Sequence, residues 1–456
     1  MTAIRLSQAD PLETDRFDTY LGSWNGEVPA EADQISAWQL AKAWTLAERL
    51  ADTNPFYRRR LRLPPGRDAA AFRSLSPTSK NEVVADCTEN PPFGSRSTVR
   101  PVDVRMVVQT SGTSGRGVEV YPLDDSDEAA IVRTEAVGFI WAGVGPGSRV
   151  LLTLPIGVTA AGLWYHAALR ALGAFVLAVG SYSTERKVDV LSRFGADLVI
   201  GTPSYIHRLA GGAMDAGLDL PSLGVKAVLV AGESFSPGWA ATVEKTWGAT
   251  LYEQYGCTER AIAWTCPGGV RRGDALGVLH FPPESGYYEV IEPTSGLPVR
   301  HGEEGELVIT PFGADASPLV RYATGDRVRW MAPGSCSCGR PLTGIAAGQV
   351  QRFDDMMKIR GVNVWPAHFD FAVFAVEGVT DYRGMVGTDD LGSEVLEIRL
   401  ETSVDPSATA ENVAAAVSRA TGLTATVRVE TTGTLAKEVP EGFVKIKRWT
   451  DRRGVR

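Results

Sequence analysis

From residue 149 onwards, short apolar runs alternate with longer segments whose apolar residues recur at helical spacing. The runs predict strands, because a strand that is buried on both faces is a continuous apolar run, and the segments between them predict helices. This order favours right-handed βαβ units and a parallel, doubly wound sheet. The predicted strands span 149–154, 174–179, 197–201 and 225–231, and the predicted helices span 160–172, 184–194, 203–216 and 236–247.

The pattern differs on either side of this region. Residues 1 to about 100 predict helices and loops, including a helix over 35–52 that Asn54 and Pro55 end. After Gly277, short strands with turn residues between them predict a small antiparallel barrel or sheet over 277–281, 286–292, 305–311 and 319–322. Beyond a boundary near Asp354, a small α+β domain is predicted from helices over 369–377 and 408–420 and strands over 382–386, 395–401 and 424–429.

The predicted fold is therefore an α/β large N-terminal domain over 1–353 and a small α+β C-terminal domain over 354–456. The large domain combines a doubly wound sheet with a small β-barrel-like subdomain. Ligands bind at the carboxyl ends of the strands in such sheets. The segments that follow Val108, Val230 and Leu251 are all expected there.

The composition of the chain limits the classes of partner and function that are expected. The chain has 456 residues, of which 44% are hydrophobic and 22% are charged, and its net charge is −8. This balance argues against nucleic acid and anionic membranes as partners. The first residues lack a basic start followed by an apolar run, and no apolar stretch is long enough to span a bilayer. A cytoplasmic enzyme is the expectation.

The segment 109–117 reads Gln-Thr-Ser-Gly-Thr-Ser-Gly-Arg-Gly and follows the strand-like Val107 and Val108. Glycines let backbone N–H groups approach a ligand closely, and hydroxyl side chains add donors or contact a metal, so this loop suits a polyphosphate. It lacks the Gly-Lys-Ser/Thr ending of the common P-loop. Taken alone, a Ser/Gly-rich surface loop is an equal alternative.

Three further segments carry candidate chemistry. Residues 252–259 read Tyr-Glu-Gln-Tyr-Gly-Cys-Thr-Glu after the predicted strand 249–251, and a carboxylate beside a hydroxyl there suits Mg²⁺ next to phosphates. Residues 322–326 read Tyr-Ala-Thr-Gly-Asp, and an Asp at the end of a strand can accept hydrogen bonds from ribose hydroxyls. Residues 352–366 begin Arg-Phe-Asp-Asp. Individually, these segments are equally consistent with a strand end, a turn and a charged linker.

In this order, the four segments resemble the adenylate-forming superfamily of acyl-CoA synthetases, nonribosomal adenylation domains and luciferases. The resemblance runs from about residue 75 to 452 and is closer to the phenylacetate–CoA ligase branch. Segments that carry the closer resemblance are Leu-Ser-Pro-Thr-Ser-Lys at 75–80, Gly-Ala-Asp-Leu-Val-Ile-Gly-Thr-Pro-Ser-Tyr at 195–205 and Cys-Ser-Cys-Gly-Arg at 336–340.

The resemblance implies a role for each matching residue. The β- and γ-phosphates of ATP would be wrapped by Thr110, Ser111, Gly112, Thr113, Ser114, Gly115 and Arg116. The adenine and carboxylate pocket would be lined by the segments 231–234 and 252–255, that is by Ala231, Gly232, Glu233, Ser234, Tyr252, Glu253, Gln254 and Tyr255, and Gly256 would also bind the nucleotide. The pocket for the acid would include Tyr165, His166, Ala231, Tyr255 and Gly256.

The remaining implied roles are catalytic. Thr258 and Glu259 would contact phosphate and Mg²⁺, and Asp326 would bind the ribose hydroxyls. Arg352 would approach the ribose and phosphate. Asp354 would be the hinge of a mobile small domain that carries the catalytic lysine, for which Lys445 is the first choice and Lys447 the second.

The implied activity is the conversion of an aromatic or similar small carboxylic acid and ATP to an acyl-adenylate, followed by thioester formation with CoA. Arg116 stands where the family usually has Lys, Gln351 where it usually has Gly, and the lysine segment is enlarged. These departures leave open an amine, a carrier-protein thiol or another small nucleophile as the acceptor. A non-catalytic binder is a third reading, against which Glu259, Asp326 and Lys445 argue. A homodimer also stays open.

Four residues suggest a metal. Cys266, His280, Cys336 and Cys338 supply three sulfurs and one imidazole, which suits a closed, structural Zn²⁺ site. Buried, unpaired cysteines are the alternative. Lys80 and Arg300 are interpreted as solvated surface charges. For His166, a satisfied core histidine is favoured over a residue of the acid pocket.

Overall fold

The structure is a computed structural model that describes residues 29–110, 118–157, 160–389, 393–438 and 448–453. The first described part is helical, as the sequence predicts. Asn54 ends the first long helix, and its side chain accepts hydrogen bonds from the backbone N–H groups of Phe56 and Tyr57, so the next helix begins at once. The helices are α1 (Ala32–Thr53), α2 (Pro55–Arg60), α3 (Ala69–Arg73) and α4 (Lys80–Glu89).

A hairpin precedes the main sheet. Its strands β1 (Met106–Gln109) and β2 (Val120–Leu123) pair antiparallel, with Gln109 opposite Val120. The candidate phosphate loop therefore connects two paired strands. Of its residues, Thr110 is described, and Ser111, Gly112, Thr113, Ser114, Gly115 and Arg116 lie outside the described residues.

The predicted parallel sheet is confirmed. Its strands lie in the order β4-β3-β5-β6-β7 and all pair parallel. After β3, the chain adds β4 on one side of it and then β5, β6 and β7 on the other side. The carboxyl ends of β3 and β5 are therefore a topological switch point, where ligands bind in such sheets. The strands are β3 (Arg149–Leu152), β4 (Phe175–Ala178), β5 (Leu198–Gly201), β6 (Ala227–Ala231) and β7 (Thr250–Gly256). The helices are α5 (Asp125–Trp141), α6 (Ala160–Ala171), α7 (Thr184–Phe194), α8 (Pro203–Asp215) and α9 (Pro237–Trp247).

Antiparallel strands continue the same sheet beyond β7, so that one sheet has twelve strands. Among the described residues these strands extend an edge and do not close into a barrel. The strands of this extension are β8 (Ile262–Thr265), β11 (Val278–His280), β12 (Gly286–Ile291), β13 (Glu304–Pro311), β14 (Tyr322–Met331), β15 (Gly344–Ala346) and β16 (Gln351–Arg352), while β9 (Arg271–Arg272) and β10 (Ala275–Leu276) form a separate hairpin. Short 3₁₀ turns span Pro101–Asp103, Pro221–Leu223, Pro283–Ser285 and Phe353–Asp355.

The predicted strand over 319–322 is wrong. Leu319 and Val320 are buried without strand pairing, and Arg321 has a left-handed φ of 46° that interrupts extended backbone. Its buried guanidinium donates to the Glu289 carboxylate at 2.9 Å, which holds this conformation in place. The strand begins at Tyr322 and runs to Met331, so Asp326 lies within a strand and not at its end.

The last part of the chain forms a separate four-stranded sheet, ordered β21-β20-β19-β22. Phe369, Tyr382, Ile398, Val413 and Trp449 pack in one apolar core beneath it. Its elements are β17 (Met357–Ile359), β18 (Val362–Val364), α10 (Pro366–Phe374), β19 (Val379–Thr388), β20 (Glu394–Thr402), α11 (Pro406–Thr421), β21 (Thr426–Val429), α12 (Thr434–Lys437) and β22 (Trp449–Asp451). The domain boundary between residues 353 and 354 stays a prediction. None of the described helices is both long and apolar enough to cross a membrane.

Candidate active site

The last residues of β7 direct polar groups to both faces of the sheet, because side chains alternate along a strand. Glu253 is buried and its Oε2 accepts a hydrogen bond from the backbone N–H of Gly348 at 2.7 Å. Burial raises the pKa of Glu253 to about 8. The Gly348 carbonyl in turn accepts from the N–H of Phe235. Glu253 therefore fixes two loops at the carboxyl end of the sheet, those after β6 and β15.

Glu259 lies in a cluster of two buried carboxylates. The Tyr322 hydroxyl is 2.7 Å from Oε1 of Glu119 and 3.2 Å from Oε1 of Glu259. Lys80 Nζ is 2.9 Å from the other oxygen of Glu119. Burial, followed by the neighbouring Glu119 charge, raises the pKa of Glu259. Two carboxylates around one hydroxyl are the hard oxygen ligands that Mg²⁺ prefers, and a cation there would offset their mutual repulsion.

Lys80 is thus not the solvated surface charge that the sequence suggested. Its side chain is 16% exposed and pairs with a Glu119 side chain that is fully buried. Neither residue belongs to a motif that pointed to this site. Lys80 precedes Glu119 by 39 positions, and the sequence holds no local signal that joins them. Arg300 is exposed, as predicted.

The candidate phosphate loop begins at this cluster. The N–H of Thr110 donates to the Glu119 carbonyl, and the N–H of Glu119 donates to the Thr110 hydroxyl at 3.0 Å. Thr258 lies beside Glu259 in the turn between β7 and β8 and is half-buried. The start of the loop and the predicted magnesium residues therefore meet at one point of the sheet edge.

Asp326 is held from two directions. The Tyr255 hydroxyl donates to its Oδ2 at 2.5 Å, and Nη1 of Arg352 donates to its Oδ1 at 3.0 Å. Burial lowers the pKa of Arg352, but the Asp326 carboxylate outweighs this and the net shift is upward. A Cβ at Gly325 would stand 3.1 Å from Nη2 of Arg352, so glycine keeps room for the guanidinium. These contacts fix the orientation of the Asp326 carboxyl group, whose oxygens are acceptors for hydroxyl donors.

The loop after β6 carries the predicted adenine residues. Ala231 ends β6, and Gly232 has a left-handed φ of 86°. The Glu233 carboxylate accepts from the N–H of Ser204 at 3.0 Å and from its hydroxyl at 2.8 Å. Ser234 donates its hydroxyl hydrogen bond to the carbonyl of Val350. Hydrogen bonds of this loop to α8 and to the segment after β15 make it a rigid wall of the site.

The residues predicted for the acid pocket differ in burial. Gly256 is exposed, whereas Ala231 and Tyr255 are buried. Tyr165 is buried, and its hydroxyl donates to Oε1 of Gln254 at 2.6 Å. His166 is half-buried, and burial followed by the Arg170 charge lowers its pKa. Gln254, predicted to line the adenine and carboxylate pocket, is buried.

The hinge and lysine predictions fall near the second sheet. Asp354 lies in the turn Phe353–Asp355, with Oδ2 3.7 Å from Nη2 of Arg352. Lys445 and Lys447 lie outside the described residues. The chain is described again at Arg448, whose buried guanidinium is 3.9 Å from Asp370 and 3.6 Å from Asp381.

The predicted metal residues come together from three elements. Cys266 follows β8, His280 ends β11, and Cys336 and Cys338 lie between β14 and β15. Their potential ligand atoms all lie within 4.8 Å of one another. The sulfurs of Cys266 and Cys336 are 3.9 Å apart, and the Cys338 sulfur is 3.5 Å from Nε2 of His280.

Comparisons with known proteins agree with this geometry. Residues 67–312 match the model of the family described as AMP-binding enzyme, and the chain belongs to that family. It is 29% identical over 377 residues to a phenylacetate-coenzyme A ligase of Thermus thermophilus, with 81% of this chain and 82% of the relative covered. It is 28% identical over 388 residues to a phenylacetate-coenzyme A ligase of Escherichia coli, with 82% and 81% covered.

The fold is also that of a solved ligase. A crystal structure of 2-hydroxyisobutyryl-CoA ligase in the postadenylation state, in complex with 2-HIB-AMP, aligns with a TM-score of 0.82 at 22% identity. The alignment covers 94% of this chain and 92% of that chain. The likeness extends over the large sheet and the C-terminal sheet together, and the predicted α/β class is confirmed.

Proposed function

We propose that this protein is an AMP-forming ligase that converts a small carboxylic acid, aromatic or similar, to its acyl-adenylate with ATP and then to a CoA thioester. The observation that carries the proposal is the meeting of Glu259, Glu119 and Thr110 at the sheet edge that also holds Asp326 between Tyr255 and Arg352. Membership of the AMP-binding enzyme family supports the first step. The relatives named phenylacetate-coenzyme A ligase support the second.

The proposed chemistry needs charge stabilisation more than covalent catalysis. A carboxylate oxygen attacks the α-phosphorus of ATP, the bond to the bridging oxygen breaks, and pyrophosphate leaves. Mg²⁺, when bound at Glu259 and Thr258, would offset the phosphate charges. Asp326 would accept the ribose hydroxyls, Arg352 would approach the ribose and phosphate, and Lys445 would stabilise charge in the transition state.

The first half-reaction is tested by acid-dependent exchange of labelled pyrophosphate into ATP over a panel of benzoates, phenylacetates, cinnamates and aliphatic acids. Exchange with at least one acid is expected. Asp326→Asn should lower kcat/KM for ATP about 10- to 100-fold, because a charge-assisted hydrogen bond is lost. Asp315→Asn is the matched control, because the Asp315 side chain is half exposed. Within the described part of the chain, its one ion pair is with Arg49. Absence of exchange across the panel would contradict the proposal.

The second half-reaction is tested with the acid found in the first assay. Thioester formation with free CoA is expected. Transfer to an amine or to a carrier-protein thiol in place of CoA would contradict the proposed acceptor and leave the adenylation step standing. This outcome would also explain the unusual Gln351 and the enlarged lysine segment.

We also propose one structural Zn²⁺ per chain at Cys266, His280, Cys336 and Cys338. In a tetrahedral site, Zn–S distances are about 2.3 Å and Zn–N distances about 2.0–2.1 Å. Two sulfur ligands are then about 3.8 Å apart, and a sulfur and a nitrogen ligand about 3.5 Å apart. The two distances in the cluster fit those separations. Three thiolates would give the site one net negative charge, and Nη2 of Arg272 lies 2.7 Å from the Cys266 sulfur to offset it.

A further inference from the structure

A second buried acid lies on the opposite face of β7 from Glu253. Glu135, on α5, is 1% exposed. It is hydrogen bonded to the Gln254 side chain, and among the described residues its Oε2 has no hydrogen-bond partner. Burial of an unpaired polar atom costs free energy, so such an atom in a native core needs an explanation.

Gln254 connects this acid to Tyr165. The carboxamide oxygen of Gln254 accepts from the Tyr165 hydroxyl at 2.6 Å, which leaves its nitrogen as the donor toward Glu135. We call these three residues, Glu135, Gln254 and Tyr165, the Glu135 cluster. Its members come from α5, β7 and α6, and Phe139 and Trp264 pack around the Tyr165 ring. The cluster is thus a polar chain inside an apolar layer.

The Gln254 side chain brings the cluster next to Gly256, at the carboxyl end of β7. A Cβ on Gly256 would stand 2.6 Å from the carboxamide nitrogen of Gln254, and Gly256 itself is exposed. The amide therefore lies directly beneath accessible backbone at the carboxyl end of β7. Gly256 and Tyr165 are two of the residues predicted for the acid pocket, and Tyr255, the neighbour of both Gln254 and Gly256, contacts Asp326 on the other face.

The chemistry of the cluster suits a neutral polar substituent. Burial raises the pKa of Glu135 to about 8, so its carboxyl group is mostly protonated near neutral pH and can both donate and accept a hydrogen bond. A purely apolar acid would leave Oε2 without a partner. An acid with a hydroxyl or amino group in reach of Oε2 would satisfy it.

We propose that the Glu135 cluster recognises the substrate, and that the acid is one that carries a hydroxyl or amino group as a hydrogen-bond donor. This inference rests on the proposed function and deepens it by naming the substrate class. Glu135 is a specificity-determining residue, and Gln254 and Tyr165 are positioning residues that fix its orientation.

The test compares matched acids that differ only in the donor, such as hydroxy- or amino-substituted benzoates and phenylacetates against their unsubstituted parents. The readout is the ratio of kcat/KM in pyrophosphate exchange. A site built to hydrogen-bond a substrate group rejects the analogue that lacks it far more strongly than an apolar pocket does. We expect the wild-type protein to prefer the best substituted acid by about 100-fold or more, and Glu135→Leu to reduce this preference to about 10-fold or less.

Two controls separate recognition from folding. Glu135→Gln keeps the shape of the side chain and a hydrogen-bond donor, so it should retain more of the preference than Glu135→Leu. This variant keeps the test valid if Glu135→Leu is unstable. Glu284→Gln removes another buried glutamate whose pKa burial raises, to about 7, and should leave the ratio unchanged. Exchange with equal kcat/KM for substituted and parent acids, or an unchanged ratio in both Glu135 variants, would overturn the inference alone. No exchange with any acid would contradict the proposed function, and the inference with it.

Discussion

The ionisation of Glu259 depends on its immediate neighbours. Glu119 raises the pKa of Glu259 and Lys80 lowers it, while Lys80 itself is paired with Glu119. If Glu259 must be ionised to serve Mg²⁺, adenylation increases as the pH rises through its pKa. Burial raises the pKa of Glu259 most, and the Lys80–Glu119 pair therefore adjusts the lower pH limit of the proposed reaction.

Lys80→Met should move the rising limb of the pH profile of pyrophosphate exchange to higher pH. Removal of the positive charge leaves Glu119 uncompensated, and the pKa of Glu259 then rises further. The loss of kcat/KM is expected to be about 3- to 10-fold near pH 6.5 and smaller at pH 8.5. Lys226→Met is the control, because Lys226 is 79% exposed and pairs with Asp197 elsewhere in the chain. An equal loss at every pH would reject the electrostatic role.

The pKa of Glu135 predicts a different pH dependence. If the substrate group donates to Glu135, discrimination in favour of a hydroxyl-bearing acid should strengthen as the pH rises through about 8, because the ionised carboxylate is the stronger acceptor. Glu135→Gln cannot ionise, so its discrimination should not vary with pH. The ratio of kcat/KM for a hydroxylated acid and its parent, measured from pH 6.5 to 9.5, checks this. A ratio that changes equally in both proteins would contradict the assignment.

Single residues show where sequence reasoning reaches its limit. Glu259 and Asp326 stand in motifs with recognisable neighbours, so their candidate roles were accessible from the sequence. Lys80 ends a segment of the family resemblance that implied no role for it, and Glu119 and Glu135 stand in no quoted motif. The importance of all three arises from contacts between distant parts of the chain. A buried charge gives no periodic signal of its own. Only the fold reveals its partners.

At the scale of elements, the alternation of apolar runs and helical segments predicted the parallel sheet closely. Helix 184–194 and helix α7 (Thr184–Phe194) coincide. The prediction failed where tertiary contacts override local pattern. Strand β7 runs on to Gly256 because β6 and β8 pair with it on either side. The segment 319–322 is apolar and buried, yet Arg321 has a left-handed backbone because its guanidinium pairs with Glu289.

The proposed zinc site joins three of these elements. The apolar cluster around Cys266 and Cys336 is small, with Val278 as its third buried member, so metal coordination would supply much of the local stability. We expect about one zinc per chain by elemental analysis. Cys338→Ser should lose the metal and lower the thermal unfolding midpoint by about 5 °C or more. Cys87→Ser is the control, since Cys87 is a half-buried free thiol outside the cluster. Full stability without metal would contradict the proposal.

The turn Phe353–Asp355 is the element proposed as the hinge. Proline at 354 would fix φ and restrict the residue before it, so the backbone could not change its conformation there. Asp354→Pro should therefore impair thioester formation more than pyrophosphate exchange. Asp354→Ala removes the contact with Arg352 but keeps the backbone free, and it should affect both steps alike. An equal loss of both steps in the proline variant would reject the hinge role.

At the scale of the whole molecule, charged residues beside the C-terminal sheet, on helix α10 and just before β22, interact with the predicted adenine loop. Arg448 and Asp370 are half-buried, and both interact electrostatically with Glu233. His207, on α8, also interacts electrostatically with Asp381 and Arg448. The sequence predicted two folding units, but it held no signal for the interaction of Asp370 and Arg448 with Glu233. The three residues are far apart in the sequence and fall in different predicted units.

The position of Arg448 bears on the choice of catalytic lysine. Its guanidinium lies near Asp370 and Asp381 and over the Phe374 and Tyr382 rings, and it interacts electrostatically with Glu233 of the adenine loop. Arg448 is the next residue but two after Lys445 and the next after Lys447. Lys445→Ala should abolish adenylation, with a loss of about 100-fold or more, because charge stabilisation at the transferred phosphorus is lost. Conversion of preformed acyl-adenylate to thioester should continue in that variant. Lys447→Ala is its matched partner, and retention of exchange in Lys445→Ala with loss in Lys447→Ala would assign the role to Lys447.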